Sequence, residues 1–151
     1  MASGRIVLVV ACVPVLALAA CGGGGGGSTL TKAQYDVKVS RLCLLASDQI
    51  RELHMDRSVS AWKYSGADVI RIARHFDNAL AALGAPADIA ADADVYLRAN
   101  TKVLADDKAA LAAAQAADLA TLRKAIEQSN NDSLAAWPSA KAIGATGCYT
   151  P

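Results

Sequence analysis

The chain has 151 residues, with 15 Lys and Arg against 14 Asp and Glu, a formal net charge of +1. That balance argues against nucleic acid as a partner, which requires a clustered basic face, and against a polybasic hold on a membrane. Hydrophobic residues make up 54%, but alanine supplies much of that fraction and buries little, and only 5% of residues are aromatic; a helical bundle packed closely through alanines fits better than a sheet.

The first element is a leader. MASGR carries Arg5, the only charge before residue 32, and an apolar run follows from Ile6 to Ala20. Fifteen residues suit the core of a secretory signal peptide and are short of the roughly 20 that a membrane span needs. The run ends Leu18-Ala19-Ala20-Cys21, which resembles a bacterial lipobox. The resemblance implies that residues 1–20 are a lipoprotein signal peptide. It also implies that Cys21 takes a diacylglyceryl group, with palmitate among its acyl chains, and becomes the new N-terminus. Cys12 loosely fits the same pattern, but too little apolar chain precedes it, so it reads as a discarded residue. Residues 21–30, with six glycines from Gly22 to Gly27, read as a flexible tether. A Gly-rich coil of that length reaches roughly 15 Å.

Residues 31–151 read as one helical domain, formally neutral once Arg5 is lost, with 14 basic residues against 14 acidic. Thr31-Lys32-Ala33-Gln34 is a capping box opening a first helix to about Met55, striped by Tyr35, Val39, Leu42, Ala46, Ile50 and Leu53. Residues 56–64 have no clear period and are expected to be a loop. Ser65 with Asp68 is expected to start a second helix along Val69, Ile72, Phe76, Leu80 and Leu83, stopped by Gly84. Pro86 is expected to begin a third helix reaching about Gln115, with Asn100 in its inner stripe. Asp118 is expected to cap a fourth, weakened by SNNDS at 129–133 and kinked or broken by Trp137-Pro138.

After Cys21 only two thiols remain, Cys43 and Cys148. An exported chain lives in an oxidising setting, so they are expected to pair. Helices joined by short connections alternate in direction, which returns the chain's end toward the first helix. The tail from Gly144 to Cys148 spans roughly 15 Å if extended, enough to fold back to Cys43. The expected fold is all-α: an antiparallel up-down four-helix bundle with a kinked fourth helix and a C-terminal tail tied back by the bridge.

The pattern offers little for catalysis. His54 and His75 fall on different helices, outside any HExxH or ExxH pattern, and no CxxC is present. No serine sits in a GxSxG elbow. The pairs Asp88 with Asp92 and Asp106 with Asp107 read as solvated helix faces. Asn100 reads as a polar residue that fixes helix register. Trp62 and Trp137 read as plugs of the core rather than a partner surface. No metal, cofactor or catalytic residue is expected.

The lipobox cysteine, the glycine tether, LTKAQY opening a helix, Cys43 within it and GATGC near the end resemble small, Ala-rich, disulfide-containing lipoproteins of high-GC Gram-positive bacteria. The resemblance implies a fold and a place: lipid-anchored on the extracytoplasmic face of the cell membrane. The functional expectation is a non-enzymatic, envelope-associated or interaction role. Its partners would be the membrane, through the lipid on Cys21, and an envelope protein, with no nucleic acid. The alternative is a binding protein for an apolar small ligand or haem held between the helices.

Overall fold

The computed structural model describes residues 30–149. The expected signal peptide, Cys21 and nearly all of the glycine tether lie outside these residues. Among the described residues the chain is all-helical, in the order α1 (Lys32–Glu52), α2 (Val59–Leu83), α3 (Ala90–Gln115), α4 (Leu119–Ala135), α5 (Trp137–Ala142) and a final 3-10 turn, η1 (Ala145–Tyr149). No described helix is long and apolar enough to cross a membrane.

The capping box opens α1 as expected. The Gln34 amide donates to Thr31 Oγ1 at 3.3 Å, and the Thr31 amide donates to Gln34 Oε1 at 3.0 Å. The helix α2 corrects the reading of residues 56–64 as a loop. Its N-cap is Ser58, not Ser65: Ser58 Oγ accepts from the Ala61 amide at 3.0 Å, and Asp56 Oδ1 accepts from the Ser58 amide at 2.8 Å. This nested pair of side-chain caps satisfies amides that a helix start leaves orphaned. The extra turns carry Trp62 and Gly66 onto the same buried stripe as Val69, Ile72, Phe76 and Leu80.

Pro86 does not start α3. It begins a turn in which the Ile89 amide donates to the Pro86 carbonyl at 3.1 Å, and the helix proper follows at Ala90. The expected fourth helix is two elements. SNNDS stays helical within α4, and the chain then breaks at Ala136. Pro138 has no amide hydrogen and its ring crowds the carbonyl four residues earlier, so it is accommodated only in the first turn of a new helix, α5.

Packing divides the buried residues into two clusters. One joins α1, the second half of α2, the first half of α3, α5 and η1, with Tyr35, Val39, Cys43, Phe76, Tyr96 and Ile143 at its centre. The other joins the start of α2 to the α3–α4 hairpin and holds Trp62 with Ala110, Ala113, Ala114, Leu122 and Ala125. Four of its six members are alanines, so α3 and α4 approach closely and little side-chain volume lies between them. The same closeness holds α2 on α3: a Cβ at Gly66 would meet Trp62 at 3.0 Å and Leu111 at 3.1 Å.

The α3–α4 corner stores a small strain. The Asp118 amide donates to the Ala113 carbonyl at 2.9 Å, and the Ala117 amide to the Ala114 carbonyl at 3.0 Å. This is the Schellman pattern, which places one residue in the left-handed region, usually glycine. Here that residue is Ala117, with φ of 55°. Asp118 then caps α4, its carboxylate accepting from the Thr121 amide at 3.0 Å. We predict that Ala117→Gly raises stability by about 0.5–1 kcal/mol, since relief of the strained Cβ outweighs the added freedom of the unfolded chain. Denaturant unfolding of the variant against wild type, reading the midpoint at constant slope, checks it.

Candidate functional site

The C-terminal segment is fastened along α1. Cys43 and Cys148 are bonded, with Cα atoms 4.6 Å apart and a sequence separation of 105. Four residues before Cys148, Gly144 lies against α1 at Asp36. A Cβ there would stand 2.8 Å from the Asp36 Cα, and the backbone has φ of 74°, so space and conformation both require glycine. Ser40 Oγ donates to the Gly144 carbonyl at 2.9 Å. The expected return of the tail to α1 is therefore present, coiled as η1 rather than extended.

Where α1, α2, α3 and η1 meet, with Ser133 of α4 at the edge, a cleft of about 170 Å³ opens beside Cys148. Its walls are mainly apolar, with Ile50 from α1, Phe76 from α2, and Tyr96 and Val103 from α3. Phe76 and Tyr96 stand edge to face, with centroids 6.4 Å apart at 85°. One polar pair breaks this wall: Asn100 Nδ2 donates to Asp77 Oδ1 at 3.0 Å. Burial pushes the Asp77 carboxyl above its usual range, partly offset by the Asn100 hydrogen bond. Asp77 enters none of the ion pairs among the described residues.

A second buried acid sits between α3 and α4. Asp107 is 7% exposed and accepts from Ser129 Oγ at 3.0 Å. Burial raises its carboxyl from 3.8 to about 6; the Ser129 bond opposes this and the neighbouring Asp106 adds to it. Asp106 is raised as well, by burial and then by Asp132 facing it from α4. The reading of Asp106 and Asp107 as a solvated face is thus corrected. Helical spacing cannot see that α4 packs closely enough on the alanine-rich α3 to cover them.

The other candidates fall as follows. Asn100 ties α3 to α2, as a register-fixing residue would, and it also lines the cleft. Trp62 is buried at 8% exposure in the second cluster. Trp137 is half-buried against the first, with Lys141 Nζ 5.6 Å from its ring centre. His54 and His75 are exposed, His54 two residues past the end of α1 with φ of 48° and His75 on α2. Among the described residues no three His, Cys, Asp or Glu side chains gather as a metal site. Cys21 lies outside the described residues. Sequence reasoning missed Asp77, although a signal existed: it follows Phe76 at the edge of the cleanest stripe in the chain.

The raised Asp107 carboxyl has a signed consequence. The folded chain holds this proton more tightly than the unfolded chain, so the contribution is fully present below about pH 3.8 and is lost as pH rises through about 6. Asp107→Asn keeps an acceptor for Ser129 and removes the buried charge. We predict that the variant gains about 2–3 kcal/mol over wild type at pH 7 and little at pH 4. Unfolding free energies of both proteins at the two pH values check it. Comparison of the chain with protein-family models, characterised proteins and solved structures finds no match.

Proposed function

We propose that this chain is a non-enzymatic, lipid-anchored module on the extracytoplasmic face of the cell membrane. In this reading residues 1–20 are removed, Cys21 carries the lipid, residues 21–30 are the tether and residues 31–151 are the working domain. The observation that carries the location is the Cys43–Cys148 bond, since such bonds persist in oxidising compartments and are rare in the cytosol. It supports the lipobox reading independently of the N-terminal pattern. Short connections between the helices support an arrangement alternating up and down, which presents the tethered end and the bridge on one rigid body. The role is association with an envelope partner.

A second reading is favoured by the cleft beside Cys148: a binding protein for a small apolar ligand. Its volume of about 170 Å³ is below the roughly 300–1,000 Å³ of pockets for drug-sized ligands. It suits a compact ligand rather than haem, and no histidine or methionine lines it. Radiolabelled palmitate supplied to expressing cells tests the anchor. Label is expected in the wild-type protein and absent from Cys21→Ala. Equal labelling of both, or of neither, contradicts it.

A further inference from the structure

We propose that the cleft between α1, α2 and α3 is a binding site for a small organic ammonium ion, held by Asp77 with its apolar body against Phe76 and Tyr96. The proposal rests on the apolar-ligand reading and names the chemistry that reading leaves open.

Three observations converge on it. The first is size. A cleft of about 170 Å³ is close to the roughly 150 Å³ of a dry cavity that accepts benzene, so the body of the ligand is one ring or its aliphatic equivalent. The second is charge. Asp77 is a half-buried carboxylate on a mainly apolar wall, with no cationic partner among the described residues. Lys, Arg and His are all absent from the lining. A carboxylate offers about four acceptor positions, and Asn100 fills one of them. An ammonium group has donors to fill the rest and supplies the missing counter-charge, and charge-assisted bonds of this kind are the stronger ones.

The third is the nature of the walls. Phe76 and Tyr96 both line the cleft, and aromatic residues attract a nearby cation electrostatically. Carboxylate, aromatic residues and a mainly apolar wall together fit an arylalkyl- or short alkyl-ammonium ion. They do not fit an anion, which Asp77 would repel, and they give a neutral hydrocarbon no reason to prefer this wall. Asn100 acts here as a positioning residue, fixing the rotamer of Asp77 from the neighbouring helix. Ser47 and Ser133, also on the lining, leave hydroxyl groups to accept a remaining ammonium hydrogen.

The test compares two probes of one shape and different charge. The full-length oxidised protein in detergent micelles is titrated with 2-(4-fluorophenyl)ethylammonium and, separately, with the corresponding neutral alcohol, following the fluorine resonance. The Asp77→Asn protein in the same micelles is the reference for partition into detergent, and its melting temperature confirms folding. The expected result is saturable binding of the ammonium, at least about tenfold weaker for the alcohol and for the variant. Equal binding of both probes, unchanged in Asp77→Asn, overturns the ammonium assignment and leaves the apolar-ligand reading standing. Binding of neither probe overturns both. The two-probe comparison on wild type decides the matter even if the variant does not fold.

Discussion

A single covalent bond ties the end of this chain to the middle of its first helix, and the lower half of the molecule is arranged around it. Cys43 is fully buried on the inner stripe of α1, so its partner must enter the core to reach it. That forces η1 down onto α1, with Gly144 against Asp36 and Ser40 holding the Gly144 carbonyl. Closing a loop of 105 residues removes about 4.7 kcal/mol of chain entropy from the unfolded state. For a core in which eight of the 20 buried hydrophobic residues are alanines, in a chain with one phenylalanine and two tryptophans, that is a large share of the usual 5–15 kcal/mol. α5 and η1 then carry Ala140, Ile143 and Ala145 into the first cluster.

The same constraint makes the cleft. α1, α2 and α3 are set by their own stripes, and η1 is set by the bridge, so the space between them is fixed by two independent requirements. The cleft beside Cys148 is where these requirements leave a gap. The other half of the molecule behaves differently. There α3 and α4 form a hairpin closed by Asp118, which ends one helix and caps the next, and alanines bring them together. Close approach covers Asp106 and Asp107 and lifts their carboxyls, a cost the hairpin carries near neutral pH.

Much of this architecture was legible in the sequence. The capping box at Thr31, the α2 stripe, Asp118 as a cap and the pairing of Cys43 with Cys148 all rest on local chemistry or on elimination among few thiols. The errors share a cause. α2 starts earlier than its apolar pattern indicates because Trp62 and Gly66 are a weak apolar signal until α3 packs onto them. Asp107 reads as solvated in the sequence because a helix face looks the same whether or not a neighbour covers it. The cleft is not legible in the sequence because it is a volume between elements; the place of Asp77 beside Phe76, at the edge of the α2 stripe, is the one local sign of it.

The most direct test of the account is the unfolding free energy of the protein with the Cys43–Cys148 bond intact and after its reduction, with peptide mass mapping under non-reducing conditions to confirm the pairing. The account predicts a linked Cys43–Cys148 peptide and a loss on the order of 3–5 kcal/mol on reduction, with α5 and η1 released first. Two free thiols open to alkylation in the native protein, or equal stability before and after reduction, would contradict it.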